Sequence, residues 1–214
     1  VATNLSGPRR LTAGAARDYL LGFEAISGRG EVFKSGGKVM KNVTGYDLSK
    51  LMTGSFGTLA VMDEITLKTL PQPETSCSLV VEVKDFASAT RQIASLFATP
   101  HEPGSAAILP ADLAGQAGLT VNKGDDACLV IVRLEGISVS IADRLAHLQR
   151  LTGGDSLEAS ASEALWAKIR DVKLFAEPVR DVWKISCPPA VAAPLISTIK
   201  AAHEINYFAD WAGG

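Results

Sequence analysis

The chain has 214 residues, of which 47% are hydrophobic and 21% charged, the balance of an ordinary globular protein that can bury one large core or two small ones. Its formal net charge of −2 gives no electrostatic reason to expect binding to nucleic acid or to an anionic membrane. No apolar run is long enough to span a bilayer, and no signal peptide is visible.

The part of the chain before Pro71 is rich in glycine and predicts short strands joined by turns. The predicted strands cover residues 20–26, 31–34 and 59–70. Three leucine side chains are expected to lie in the core of this part, namely those of Leu51, Leu59 and Leu67.

A short helix and a glycine turn are predicted between the second and third of these strands. Asp47 can cap the helix, and Gly54 can end it. Residues 55–58 then form a tight turn, in which Gly57 permits backbone angles that are closed to other residues. Such a turn can bring backbone N–H groups close to a ligand, and a plain structural turn is the alternative.

A domain boundary is predicted at Pro71-Gln72-Pro73, because two prolines around one residue stop a strand and stiffen a connector. Beyond it, strands alternate with helices, which predicts an α+β sandwich with its helices stacked on one face of an antiparallel sheet. The predicted strands cover residues 79–83, 128–134 and 182–186. The predicted helices carry apolar side chains at helical spacing, namely Phe86, Ala89, Ile93 and Leu96; Ile141, Leu145 and Leu148; Leu165, Ile169 and Val172; and Leu195, Ile196 and Ile199.

Cysteine and histidine are too few and too scattered to predict a disulfide framework or a metal site. The three cysteines lack CxxC spacing and are odd in number, so reduced core thiols are favoured; they are Cys77, Cys128 and Cys187. The three histidines show no metal-binding spacing, and no metal is predicted. Core packing is the expected role of the tryptophans, with a subunit interface as the alternative for the last; they are Trp166, Trp183 and Trp211.

The glycines between residues 28 and 37 match no nucleotide-binding fingerprint. The lysine after Gly37 is followed by valine rather than serine or threonine, which excludes a P-loop. No GxGxxG sequence opens a helix. From the residues alone, hairpin turns are the favoured interpretation.

An ordered series of motifs identifies a family. The run VATNLSGPRR at residues 1–10 is followed by Arg17-Asp18, Leu21-Gly22, KNVTGYDL at residues 41–48 and GSFGTL at residues 54–59. This series closely resembles the FAD-binding subunits of bacterial glycolate oxidases. Their flavin domain is of the vanillyl-alcohol-oxidase type, which is also found in D-lactate dehydrogenases. The dense motifs cover residues 1–73. Looser matches follow at WAKIRD (166–171), VWKIS (182–186) and DWAGG (210–214).

The resemblance implies an α+β fold in which part of a vanillyl-alcohol-oxidase-type FAD domain (residues 1–72) is followed by a ferredoxin-like α+β cap domain (residues 73–214). It implies flavin-mediated oxidation of glycolate to glyoxylate in a complex with a related flavin subunit and an iron–sulfur subunit. The expected location is cytoplasmic, with attachment to the inner membrane face through those partners. The family's pyrophosphate-binding glycine loop precedes the position of Val1. We therefore expect no tightly bound FAD in this chain alone, and a homodimer through exposed strand edges of its flavin half.

Site residues follow from the same resemblance. The N-terminal segment that passes alongside FAD in the family corresponds here to Ala2, Thr3, Asn4, Ser6 and Gly7. The turn into the last flavin-domain strand offers backbone groups to the cofactor at Gly57, Leu59 and Val61. The sequence departs from the family pattern at Ala60, where glycine is usual, and at Asp63, where threonine is usual. The Ala60 change puts the backbone contact at this turn in doubt.

A substrate carboxylate requires a cation, and arginine binds one best through its two-pronged donor geometry. Arg9 and Arg10 are the candidates, with Arg17 and Lys41 as further cations; a solvent-exposed or partner-facing role is the alternative. No histidine occurs in residues 1–73, so this part shows no obvious general base. That absence keeps a second hypothesis open, in which the chain is a non-catalytic assembly subunit of the complex.

Overall fold

The structure is a computed structural model that describes residues 1–39, 45–122, 124–176 and 181–214. The chain forms two compact units, Val1–Gln72 and Pro73–Gly214. No helix among the described residues is both long enough and apolar enough to cross a membrane.

The first unit is built on a three-stranded antiparallel sheet with the strand order β2-β1-β3. Its elements are α1 (Arg10–Ala13), α2 (Ala16–Tyr19), β1 (Leu20–Ser27), β2 (Val32–Gly36), α3 (Leu48–Met52) and β3 (Ala60–Leu67). One face of the sheet packs against α3 through Phe23, Ala25 and Met52. Gly22 pairs with Gly36 across β1 and β2, where a Cβ on either glycine would collide with the opposing backbone.

The prediction that three leucines fill the core of this unit is wrong. Leu51 is 58% exposed, Leu59 50% and Leu67 44%. The five-residue α3 turns Met52 and Leu48 toward the sheet, and so Leu51 points away from it. The sheet itself leaves an exposed row of apolar side chains on its other face, in which Val32, Ile26 and Val61 are cross-strand neighbours.

The second unit contains a four-stranded antiparallel sheet with the strand order β5-β6-β4-β7. Its elements are β4 (Thr75–Val83), α4 (Phe86–Phe97), β5 (Ser105–Pro110), α5 (Ala111–Ala117), β6 (Cys128–Gly136), α6 (Ser138–Thr152), β7 (Asp155–Leu157), α7 (Ala159–Arg170), a 3₁₀ turn (Lys173–Phe175), α8 (Pro189–Ala202) and a second 3₁₀ turn (Trp211–Gly213). Apart from the added α5, β4 to β7 follow the β-α-β-β-α-β connectivity of the ferredoxin-like arrangement. The predicted α+β class is thereby confirmed.

Helices cover both faces of this sheet, so the prediction of helices on one face is wrong. Side chains alternate along the central β6, and each face collects its own core. On one face, Val130 and Val132 pack with Ile93 of α4 and Leu148 of α6. On the other, Leu129 and Ile131 pack with Ala114 of α5 and with Leu165, Trp166 and Ile169 of α7. A strand as apolar as β6 must be covered on both sides.

Two polar arrangements hold the second unit together. In the core, Trp166 Nε1 donates to Ser78 Oγ at 2.8 Å, and Ser78 Oγ shares a hydrogen bond of 2.7 Å with Ser162 Oγ. On α6, the Arg144 guanidinium donates to three backbone carbonyls, those of His101, Glu102 and Glu135. These bonds tie α6 to the loop before β5 and to the end of β6.

The strand predicted over residues 182–186 is not formed. Residues 181–188 have no regular secondary structure, and Trp183 is 82% exposed instead of packed in the core. The outer edge of β5 instead makes an isolated bridge with the C-terminal segment. Ile108 donates its N–H to the Ala209 carbonyl at 2.7 Å and accepts from the Ala209 N–H at 3.0 Å. Next to this bridge, the Lys184 ammonium lies 3.8 Å from the centre of the Trp211 ring.

Candidate functional site

Two stretches of the first unit that the sequence singled out lie against each other. The N-terminal segment, residues 1–7, is irregular, and the turn at residues 53–58 docks on it. The Gly54 N–H donates to the Val1 carbonyl at 3.3 Å, and the Phe56 N–H donates to the Ala2 carbonyl at 2.9 Å. This contact joins residues that are more than fifty positions apart in the chain.

Backbone conformation shapes this junction. Asn4 and Phe56 adopt positive φ angles of 47° and 54°, which are uncommon for residues other than glycine. At Gly57 the φ angle is 77°, and, its chain neighbours apart, no atom of a described residue lies within 4 Å of the position that a Cβ would take. The backbone of the turn is therefore open to an approaching ligand at Gly57.

The residues assigned by resemblance divide by exposure. Ala2, Asn4, Ser6 and Gly7 are partly buried, whereas Thr3 and Gly57 are exposed. Leu59 and Val61 expose 50% and 64% of their surface. Ala60 is only 6% exposed, and its methyl group packs in the core of the unit, away from the open side of the turn.

The hydroxyl of Ser55 is a buried polar group at this junction. Its Oγ is buried and has no hydrogen-bond partner among the described residues. An unsatisfied buried hydroxyl is costly unless another group completes it. Together with the open backbone at Gly57 and the exposed apolar side chains of Leu59 and Val61, it gives polar and apolar groups of the kinds that line cofactor sites. These residues fit a flavin nucleotide.

A cavity of about 310 Å³ opens beside this junction. It is lined by Asn4, Arg10, Ala15, Arg17, Asp18 and Lys50. Of the two arginines proposed for the substrate, Arg10 lines this cavity and Arg9 does not. Both side chains are exposed. Lys41 lies outside the described residues.

Lys50 and Ser55 are the residues that the sequence did not single out. Lys50 occupies the helix capped by Asp47, whose carboxylate accepts from the Lys50 N–H at 3.1 Å and lies 3.3 Å from the Lys50 ammonium. Nothing in the local sequence indicates that this helix faces Arg17. Asn4, which lines the same cavity, accepts a hydrogen bond at its Oδ1 from the Arg17 N–H at 3.1 Å.

The cysteine and histidine side chains of the second unit do not form a nucleophilic or metal site among the described residues. Burial raises the pKa of Cys77 and raises that of Cys128 to about 12, so both buried thiols are protonated at neutral pH. All three cysteines are free thiols; Cys77 and Cys128 are buried, whereas Cys187 is only partly buried. His101 is partly buried and stacks on His147, with 5.1 Å between the ring centres. Within the described ranges, no group of three or more histidine, cysteine, aspartate or glutamate side chains is arranged to hold a metal.

No protein-family model matches the chain. Over 189 residues the chain is 35% identical to "Glycolate oxidase subunit GlcE" of Escherichia coli (strain K12). This match covers 88% of the chain and 47% of that protein. Over 102 residues it is 36% identical to "Glycolate oxidase subunit GlcD" of Bacillus subtilis (strain 168), covering 48% of this chain and 22% of that protein. The chain thus spans at most about half the length of these relatives.

Among solved structures, the chain is similar to an alkyldihydroxyacetonephosphate synthase. The TM-score is 0.61 at 15% sequence identity, and the match covers 81% of this chain and 35% of that one. This likeness shows that the two proteins share a fold. In sequence, the chain is similar to a group of FAD-linked oxidoreductases and glycolate oxidase subunits.

Proposed function

We propose that this protein binds FAD through its first unit and takes part in the oxidation of a small 2-hydroxyacid, with glycolate as the substrate and glyoxylate as the product. The observation that carries the proposal is the docking of the turn at residues 53–58 on the N-terminal segment. It brings together the two stretches that the resemblance assigns to the cofactor, and the Ser55 hydroxyl there has no hydrogen-bond partner among the described residues. The sequence similarity to glycolate oxidase subunits supports the choice of substrate class.

Bound FAD would supply the two-electron chemistry, since hydride acceptance is a property of the flavin. The protein's own residues bind and orient. In this proposal the open backbone at Gly57 and the polar groups of Thr3, Asn4 and Ser6 bind the cofactor. The exposed side chains of Leu59 and Val61 exclude water from its apolar part. The second unit, with its ferredoxin-like connectivity, is the proposed cap.

Arg10 is the proposed ligand of the substrate carboxylate, because it lines the cavity next to Asn4 and Arg9 does not. A charge-assisted hydrogen bond of this kind contributes about 1.5–3 kcal/mol. Replacing Arg10 by alanine in the assembled enzyme should therefore raise the KM for glycolate by about tenfold or more. Arg9→Ala is the matched control, and an equal effect of both changes would contradict the assignment.

An assembly role is the second candidate, favoured by the distribution of histidine. All three histidines belong to the second unit, and His101 and His147 stack on each other. In this alternative the chain holds flavin without oxidising glycolate and assembles with a related flavin subunit and an iron–sulfur subunit. Glycolate turnover with an artificial acceptor separates the two. If the subunit alone oxidises glycolate, the catalytic role is supported. If only the complex oxidises glycolate, the assembly role is supported.

A further inference from the structure

The segment from Tyr207 to Gly213, called the strap below, closes the outer edge of β5 through a single pair of residues. Ile108 and Ala209 exchange two backbone hydrogen bonds there, of 2.7 and 3.0 Å. On its other edge, β5 pairs with β6 along its whole length. The strap therefore adds one residue pair to the sheet, where a full edge strand would add several.

Side-chain contacts anchor both ends of the strap. The ring centre of Tyr207 lies 5.8 Å from that of Phe86 in α4, and the ring centre of Phe208 lies 5.2 Å from that of Phe175. At the other end Gly213 is buried. These anchors fix the backbone path of the residues between them.

The backbone of the strap is strained on this path. Trp211, Ala212 and Gly213 have φ angles of 50°, 61° and 94°. The left-handed region is unfavourable for residues that carry a side chain, and of these three only Gly213 adopts it without a steric cost. Such strain persists only where the surroundings impose it, and it is common in segments that switch between conformations. The strain therefore offsets part of the favourable contacts of the closed strap.

Asp210 is a second source of weakness in the closed strap. It lies between the bridge at Ala209 and the strained residues, and it is only partly exposed. Burial raises the pKa of Asp210, because it disfavours the charged carboxylate, and the Lys184 ammonium acts in the opposite direction. The same ammonium lies 3.8 Å from the centre of the Trp211 ring. Lys184 thus supports the strap at the point where the carboxylate weakens it.

The other ionisable groups around the strap do not compete for this role. Burial raises the pKa of Tyr207 to about 12, with the nearby groups of Cys128, Asp112 and Asp126 adding to the increase, so the phenol stays neutral up to alkaline pH. On α8, the Lys200 ammonium lies 5.8 Å from the centre of the Tyr207 ring. The charged groups of α4 and of the first 3₁₀ turn are engaged elsewhere: Asp85 caps α4, Arg91 donates to Ser88, and Lys173 lies 3.7 Å from the Asp171 carboxylate.

We propose that the strap opens as a unit from the edge of β5, and that ionisation of Asp210 favours the open form. In the open form the carboxylate is in water and has its ordinary pKa, whereas the closed form binds the proton more tightly. The closed form is therefore most favoured below about pH 3.9 and becomes less favoured as the pH rises through the higher pKa of its own Asp210. Opening uncovers the N–H and C=O of Ile108, which are groups to which a further strand can pair. This conformational device does not depend on the proposed function.

Hydrogen exchange of the 214-residue chain, measured residue by residue by NMR, tests the proposal. Relative to their intrinsic rates, the Ile108 and Ala209 amides should exchange at least about tenfold faster than that of Val130 in the central β6, because local opening leaves the sheet folded. Asp210→Asn should slow the exchange of both amides by about threefold or more at pH 7, and this effect should shrink toward pH 4. Protection of Val130 shows that each variant is folded.

Two further variants complete the test. Lys184→Gln removes the cation beside the carboxylate and should speed the exchange of Ile108 and Ala209 by about threefold at pH 7. Asp155→Asn, at an exposed position of β7, is the matched control and should change it by less than about twofold. Equal protection of Ala209 and Val130 would overturn the proposal, because the strap would then open only when the whole unit unfolds. Unchanged or faster exchange in Asp210→Asn at pH 7, or an equal effect of Asp155→Asn, would overturn it too.

Discussion

Replacing Ser78 by alanine tests the buried polar cluster that joins β4 to α7. Ser78 and Ser162 are fully buried, and Trp166 is 3% exposed. The Ser78 hydroxyl accepts from the Trp166 indole N–H and shares its other hydrogen bond with Ser162. Alanine at position 78 therefore removes both bonds at once and leaves two partners unsatisfied in a closed core.

The expected cost follows from these two partners. A buried polar group left without a hydrogen bond costs about 1–3 kcal/mol. The indole N–H and the Ser162 hydroxyl together therefore predict a loss of roughly 2–6 kcal/mol in the free energy of unfolding. Ser162→Ala leaves the indole bond intact and should cost less, about 1–2 kcal/mol. Typical domains have a total stability of about 5–15 kcal/mol, so the Ser78 effect is large.

Urea unfolding followed by tryptophan fluorescence is a suitable assay. All three tryptophans belong to the second unit, so the signal reports on the unit that contains the cluster. Ser160→Ala, at an exposed position of α7, is the matched control and should change stability by about 0.5 kcal/mol or less. A Ser78→Ala loss no larger than that of the control would refute the reasoning.

Two further predictions concern charged residues of the second unit. Burial raises the pKa of Asp210, so the folded state disfavours its charged form and loses stability as the pH rises through that pKa. Asp210→Asn should therefore stabilise the protein at pH 7 but give no gain in stability at a pH well below about 3.9. Urea unfolding at pH 7 and at such a low pH measures both effects. Destabilisation at pH 7 would contradict the prediction. Arg144→Met removes three donors to backbone carbonyls and should cost about 1–3 kcal/mol in urea unfolding. Arg150→Met, at an exposed site of the same helix, should cost about 0.5 kcal/mol or less, and equal losses would contradict the role of Arg144.

Local signals in the sequence were sufficient for several elements of the fold. The helix predicted after Asp85 forms as α4, and Asp85 Oδ1 accepts from the Ser88 N–H at 2.6 Å as an N-cap. Hydrogen bonding from the Ser88 side chain, and next from the Ser88 backbone N–H, lowers the pKa of Asp85. The β-branched run at residues 128–134 forms β6, the central strand between two cores. In both cases the residues that determine the element lie within it or directly beside it.

Elements that depend on distant partners were not predicted. Residues 105–110 lack the β-branched pattern of a strand, yet they form the fully buried β5 because they pair along their whole length with β6. Residues 182–186 have a strand-like composition but remain unpaired, since a strand requires a partner edge. The β5 edge is bridged instead by Ala209. Composition gives no information about which edge a segment meets.

The candidate site shows the same division. The family motifs predicted both the N-terminal segment and the turn at residues 53–58, and the structure places them in contact. The cavity was not predictable, because it brings together Arg17 and Lys50, which are 33 positions apart in the chain. The unsatisfied Ser55 hydroxyl also emerges only from the packing around it. The resemblance indicated which residues to expect at the site, and the fold determines how these residues are arranged.

The visible absorption spectrum of the native-length protein, recorded before and after anaerobic addition of glycolate, tests the central claim most directly. The proposal predicts the two-banded spectrum of oxidised flavin and its bleaching by glycolate, because the substrate's two electrons are transferred to the flavin. If another 2-hydroxyacid bleaches the flavin and glycolate does not, the proposed substrate is wrong but the proposed reaction class is retained. A colourless protein, or a flavin spectrum that no 2-hydroxyacid changes, would contradict the account.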